Sequence, residues 1–241
     1  MAIGQSDIFS FFTKIQSMKI ASWNVNGIRA VERKKELQLF LKTHDPDLLF
    51  LQEIKGTSDK FSKYLTENPD YETFYNSAEK PGYAGTGVWI KKEVVQNINN
   101  LEFMHAFEGD PCSAEGRLSQ VNFEKDGKQF SVLGLYFPNG GKSPEAWKDK
   151  IIFYEKLLEH VDALRESGRE VLWMGDVNCA HQEIDLARAK ENVNSIGFLP
   201  PERDWISKCV AHHWVDIFRN TYPDKIIYSW WHLISKARAR N

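Results

Sequence analysis

The chain has 241 residues and a formal net charge of −2, with 42% hydrophobic and 27% charged residues. That is the make-up of an ordinary soluble globule with room for one large α/β domain, and it excludes a protein held to nucleic acid by bulk positive charge, so any such contact must come from a local patch. Three widely spaced cysteines, Cys112, Cys179 and Cys209, predict a reducing, intracellular setting without a disulfide frame, and the absence of a membrane-length apolar run or a basic secretory leader predicts no membrane partner.

Residues 1–17 stand apart as a tail. Gln5, Ile8, Phe11 and Phe12 fit the pattern Gln-x-x-aliphatic-x-x-aromatic-aromatic with which short peptides dock on a sliding clamp. One helical turn would put Ile8, Phe11 and Phe12 on one side for an apolar pocket while Gln5 bonds the clamp backbone. An amphipathic turn folded back on the domain is the alternative. Residues 18–241 form the domain proper. Ile20-Ala21-Ser22-Trp23 predicts a strand that ends at Asn24 and Asn26, and the spacing of Leu37, Phe40 and Leu41 predicts one helix over residues 31–43, broken by Asp45-Pro46-Asp47. Leu48-Leu49-Phe50-Leu51 leads directly to Gln52 and Glu53, with Lys55 as either a phosphate contact or a solvated charge. Strands are predicted over residues 71–75, 87–91, 118–123 and 129–137, with Asp126-Gly127 as a hairpin turn that tolerates positive φ. The last of these strands leads to Tyr136 and Asn139.

Ser143-Pro144-Glu145 predicts the start of the longest helix by its cap, its proline and its acid at the positive dipole end. Trp147, Ile151, Tyr154, Leu158 and Val161 are its expected core face. Gly140-Gly141-Lys142 just before it is either a backbone-phosphate contact or an ordinary loop. Val171-Leu172-Trp173-Met174 reads as a strand buried on both faces, with Gly175 turning the chain and Asp176 and Asn178 at its end. Cys179 is expected to be a buried bystander thiol. His181, Glu183 and Asp185 read as a loop-ordering hydrogen-bond network, residues 194–203 as a loop, Trp205 and Ile206 as inward-packing, His212 and His213 as surface or packing residues, and Tyr228-Ser229-Trp230-Trp231 as a strand.

If the four strands that end in asparagines or acids lie side by side, two carboxylates, several amides and a phenol converge on one rim. Hard divalent cations take oxygen ligands, usually one or two carboxylates with water and substrate phosphate, so such a rim suits a metal-assisted phosphoesterase; no Cys or His cluster has zinc spacing. The segments Ser22-Trp23-Asn24-Val25-Asn26-Gly27, Leu51-Gln52-Glu53-Ile54-Lys55, Glu115-Gly116-Arg117, Tyr136-Phe137-Pro138-Asn139, Gly175-Asp176-Val177-Asn178 and Ala180-His181-Gln182-Glu183-Ile184-Asp185-Leu186 occur in one order. Together with Ile196-Gly197-Phe198-Leu199-Pro200-Pro201-Glu202-Arg203 and Tyr228-Ser229-Trp230-Trp231, that order resembles the exonuclease III family of apurinic/apyrimidinic endonucleases, from about Met18 onward.

The resemblance implies a four-layer α/β/β/α sandwich of the DNase I-like class. It implies Mg²⁺, with Mn²⁺ as a substitute, held by Asn24, Asn26, Glu53 and Asp176, and catalysis by Tyr136, Asp176 and Asn178. It implies substrate contacts from Arg117, Asn139, Lys142 and Trp230, the last lining the pocket for an extrahelical abasic sugar. The residues from 194 to 203 would face DNA. The expected activity is incision of double-stranded DNA 5′ to abasic sites with trimming of 3′ ends, by a monomer tethered to the clamp through Gln5–Phe12. In the family a further catalytic Asp and an adjacent Asp-His pair follow the point reached at Asn241, so an impaired, clamp-tethered binder of damaged DNA is one competing expectation. A superfamily phosphatase acting on lipids or nucleotides is the other.

Overall fold

The computed structural model describes residues 13–15 and 18–229. Its strands are β1 (Thr13–Ile15), β2 (Met18–Asn24), β3 (Leu48–Gln52), β4 (Tyr71–Asn76), β5 (Thr86–Lys91), β6 (Asn99–Met104), β7 (Leu118–Lys125), β8 (Lys128–Tyr136) and β9 (Glu170–Asp176). They form two mixed sheets, in the orders β1-β2-β3-β5-β4 and β6-β7-β8-β9. The chain divides into two compact units, one ending at Val177 and the other beginning at Asn178; both sheets belong to the first.

Strand alternation builds two cores from one sheet, because successive side chains point to opposite faces. Leu49 and Leu51 of β3 join Ala21 and Trp89 on one face, where the short helices Ile28–Arg33 and Glu36–His44 cover them with Ile28, Val31, Leu37, Phe40 and Leu41. Leu48 and Phe50 face the other way and meet Val121, Phe123, Phe130 and Val132 of the second sheet. Gly134 in β8 makes that approach possible, since a Cβ there would lie 2.3 Å from the Phe50 ring. On the far side of the second sheet the helix Pro144–Glu166 packs Phe153 and Tyr154 against Phe137, with ring centroids 5.3 and 5.7 Å apart. The layers are therefore helix, sheet, sheet, helix, the sandwich that the resemblance implied.

The strands predicted between Ile20 and Met174 are all present, and Asp126 and Gly127 adopt positive φ (51° and 73°) between paired Lys125 and Lys128. Ser143 caps the long helix, its hydroxyl accepting from the Ala146 amide at 3.2 Å. Several local expectations need correction. The single helix over residues 31–43 is two, because Lys35 takes a left-handed conformation (φ 60°) and interrupts the backbone ladder. The core face of the long helix runs through Lys150, Phe153, Tyr154, Leu157, Leu158 and Val161, while Trp147 and Ile151 are only half-buried. Lys150 is wholly buried: its stem packs under Gly140 and its ammonium donates to the Asn139 carbonyl at 3.1 Å. β9 is half-buried, not sealed on both faces, since among the described residues it ends its sheet and pairs only with β8. Gly175 lies within β9 and makes no turn there; it is required because a Cβ would stand 1.9 Å from the Leu135 carbonyl oxygen, at φ 142°.

In the second unit the helix Pro200–Ala211 begins inside the stretch expected to be a loop, and it buries Glu202, Trp205 and Cys209. Ile206 is half-buried, as is Cys179, which is less enclosed than expected, and His212 and His213 are exposed. Tyr228 and Ser229 lie in no strand, and Trp230 and Trp231 fall outside the described residues.

Candidate active site

Parallel pairing gathers the rim. β2 and β3 run parallel with Asn24 opposite Gln52, so Asn24 and Glu53 leave the first sheet at the same end. β8 and β9 run parallel with Tyr136 opposite Asp176, which does the same in the second sheet. The two ends meet at one amide. Asn24 Nδ2 donates to Glu53 Oε1 at 2.7 Å and to Asp176 Oδ2 at 2.8 Å, using both of its hydrogens. Asn24 Oδ1 accepts from the Asn26 backbone amide at 3.0 Å, which fixes the orientation of the side chain. Asn24, expected to be a metal ligand, thus bonds both acids through its nitrogen, while its oxygen accepts one backbone hydrogen bond.

Glu53 has a second partner. Lys55 Nζ stands 2.6 Å from Glu53 Oε2 and also donates to Asn26 Oδ1. The Tyr136 phenol neighbours the same carboxylate. Burial alone would raise the Glu53 carboxyl, but the bonds from Asn24, Lys55 and Tyr136, with the charge of Lys55, hold it below the ordinary glutamate value. Burial, then the Glu53 charge, pushes the Tyr136 phenol well above the ordinary tyrosine value, with nearby Arg117 acting in the opposite sense. Glu53 is thus an anion and Tyr136 a neutral donor across the working pH range.

The backbone here is strained. Asn26, Glu53 and Lys55 adopt left-handed φ of 46°, 55° and 50°, and such residues cost about 1–3 kcal/mol each when they are not glycine. Bonds from Gly27 N to Glu53 O (2.7 Å), from Ile28 N to Ile54 O (3.1 Å) and from Lys55 N to Ala84 O (3.0 Å) hold the turn in place.

Arg117 is not where a substrate contact would put it. Only 3% exposed, it pairs with Glu115 at 2.6 Å and donates to the Tyr136 carbonyl at 3.0 Å. Asn139 and Lys142 are exposed on the loop after β8. Asn139 Oδ1 accepts from the Gly141 amide at 3.2 Å, and the Lys142 ammonium lies 4.4 Å from the Tyr83 ring centroid. Tyr83 is a residue that sequence reasoning missed, since a lone tyrosine in a turn carries no periodic signal. Asn178 opens the second unit with φ 49°. Trp230 and the tail residues Gln5, Ile8, Phe11 and Phe12 lie outside the described residues.

Within the second unit the 180–203 segment is tied together much as its hydrogen-bonding side chains suggested. His181 Nε2 and Ser207 Oγ are 2.9 Å apart, Arg203 Nε donates to the His181 carbonyl at 2.8 Å, and Asp185 accepts from the Gln182 amide at 2.8 Å and pairs with Arg219. Glu202 accepts from the amides of Gly197 (2.7 Å) and Leu199 (2.9 Å). Burial lowers the His181 imidazole below its ordinary value, against the pull of Asp185 and Asp216. Glu183, expected in the same network, is exposed.

At the rim of the first unit the donor set is different. Among the described residues no group of three His, Cys, Asp or Glu side chains is placed to hold a metal ion. A hard cation needs only one or two carboxylates, however, and here Glu53 Oε2 and Asn26 Oδ1 already converge on one positive charge, the Lys55 ammonium. The oxygens present fit such an ion.

Residues 21–233 match the family model described as Endonuclease/Exonuclease/phosphatase family. The chain belongs to the endonuclease/exonuclease/phosphatase family. Within it the chain is 36% identical over 225 residues to an exodeoxyribonuclease of Bacillus subtilis, covering 93% of this chain and 84% of that protein. It is 31% identical over 234 residues to the DNA repair nuclease APEX1 of Danio rerio, covering 93% and 70%. Among solved structures, an AP endonuclease of Leishmania major superposes with a TM-score of 0.81 at 25% identity, over 98% of this chain and 81% of that one. This endonuclease/exonuclease/phosphatase chain thus shares its fold with an AP endonuclease.

Proposed function

We propose that the chain is a metal-dependent DNA phosphodiesterase that incises the backbone 5′ to abasic sites and trims 3′ ends. One observation carries the reading: Glu53 and Asp176, from different sheets, are bonded to the same Asn24 amide beside a protonated Tyr136. The names of the relatives, exodeoxyribonuclease and DNA repair nuclease, support the substrate class, and the family's nucleases depend on a metal ion.

Glu53, Asp176 and Asn26 would hold the cation, and a hard ion such as Mg²⁺ or Mn²⁺ supplies Lewis-acid polarisation of the scissile phosphate. Glu53, kept ionised by its partners, provides fixed negative charge at neutral pH. Asp176 is the candidate proton acceptor from the attacking water, and Asn24 holds its carboxylate in place. Tyr136, kept neutral, donates a hydrogen bond toward the phosphate or the leaving 3′ oxygen. Asn139 and Lys142 are candidate backbone contacts, suited to reading phosphate and not sequence. In the tail, Gln5, Ile8, Phe11 and Phe12 would tether the enzyme to a sliding clamp, a reading supported by their spacing alone.

The test is cleavage of a duplex with one abasic analogue, with Mg²⁺ and with EDTA. Incision 5′ to the lesion is expected, abolished by EDTA and lowered on the order of 10²–10⁴-fold in Asp176→Ala, the usual cost of removing a positioned acid–base group. A folded, DNA-binding chain that makes no cut would overturn the assignment in favour of a binder. Preferred hydrolysis of inositol phosphates would point to a phosphatase.

A further inference from the structure

We infer that Arg117, aimed by Glu115, is a positioning residue that acts on the reaction through Tyr136. The guanidinium carbon lies 4.7 Å from the Tyr136 ring centroid, so the cation rests on the face of the phenol. Its Nη1 donates to the Tyr136 carbonyl at 3.0 Å, and the Tyr136 amide donates back to the Arg117 carbonyl at 2.9 Å. Both backbone and ring of Tyr136 are therefore gripped by one residue.

Arg117 is itself fixed. Nε donates to Glu115 Oε2 at 2.6 Å and Nη2 to the Tyr83 hydroxyl at 3.4 Å. Gly116 gives the turn that lets Glu115 and Arg117 face each other: its φ is 62°, and a Cβ there would fall 2.3 Å from the Asn76 carbonyl oxygen. A guanidinium that is buried, stacked and bonded on three sides has no edge to offer a phosphate. It can, however, set where the phenol points. Planar stacking with forked donation is what arginine supplies and lysine does not.

The inference rests on the reading of Tyr136 given above, and two kinds of measurement separate their failures. In steady-state cleavage of the abasic duplex, Arg117→Met is expected to lower kcat by about 10²-fold, the scale of a small misplacement of a reacting group. KM should stay within about twofold, and Arg117→Lys should recover little of the loss. In a Tyr136→Phe background Arg117→Met should cost nothing further, because the group it acts through is gone. Independently of activity, the Tyr136 ring resonance in a tyrosine-labelled NMR spectrum, assigned by its loss in Tyr136→Phe, should move in Arg117→Met and in Glu115→Gln. Losses that add in the double variant, a rise in KM with kcat unchanged, or an unmoved Tyr136 resonance would each overturn the inference. Full activity of Tyr136→Phe would instead remove the assigned role of Tyr136, leaving the resonance to decide whether Arg117 positions the ring. Should the methionine variant not fold, the lysine and Glu115→Gln variants carry the same measurements.

Discussion

Lys55 sits on the charge that matters most at the rim, and its contribution follows the ionisation of Glu53. The Glu53 carboxyl is held below its ordinary value of 4.5. The pairing therefore contributes in full above that value and fades as pH falls through the lower value at which Glu53 protonates in the folded chain. In the presence of chelator, Lys55→Met should melt below the parent chain at neutral pH, and the gap should close as acidification protonates Glu53, at a pH below its ordinary 4.5; a gap independent of pH would mean the loss is one of packing. A pair of glycines separates two kinds of backbone constraint. Gly175→Ala meets the Leu135 carbonyl at 1.9 Å, whereas Gly127→Ala meets nothing within 4 Å and bears only its φ of 73°. Denaturant titration should show a loss of about 3 kcal/mol or more for the first and about 1 kcal/mol for the second. Equal losses would show that the close approach at Gly175 relaxes freely.

At the scale of elements, hydrophobic period and turn chemistry made most strands and the long helix legible. Leu48 to Leu51 and the Asp126-Gly127 turn needed no tertiary information, and neither did the Ser143 cap. What escaped was set by contacts between elements. Lys35 sits in a stretch with helical spacing on either side, and only its left-handed φ splits the helix. Lys150 is a core residue that a hydrophobic pattern skips, because its ammonium finds the Asn139 carbonyl from inside. β6 opens on two asparagines and pairs irregularly with β7 between Asn99 and Glu102, so only Leu101 to Phe103 alternates, too short a run to read as a strand. The spacing of the two sheets gives a further prediction. Gly134→Ala drives a methyl into Phe50 across the sandwich, and overpacking of this kind costs about 1–3 kcal/mol. Combining it with Phe50→Leu should recover part of that loss in thermal melts; strictly additive losses would show that Phe50 is not what Gly134 makes room for.

For the whole molecule, the sequence displayed the rim residues but not their roles. Asn24, Glu53, Tyr136 and Asp176 were legible as polar groups at the ends of apolar strands, since such ends are where an α/β fold exposes its chemistry. That Asn24 bonds both acids, that Lys55 covers Glu53 and that Arg117 lies beneath Tyr136 depends on which atoms of each side chain face inward, and strand spacing is silent on that. A net charge of −2 also means that the chain has no bulk positive charge to offset the anionic groups gathered at the rim. Two acids held together by one amide and one ammonium form a site that a divalent cation can relieve, and a ligand that binds only the folded state stabilises it by about 2.7 kcal/mol at a hundredfold excess over its Kd. Mg²⁺ should therefore raise the melting temperature of the full chain, without any substrate present. Glu53→Gln, which keeps the shape and removes the charge, should abolish most of that rise, while Asp185→Asn in the second unit should leave it intact. A rise that survives Glu53→Gln and disappears in Asp185→Asn would move the cation out of the rim and into the loop network of the second unit.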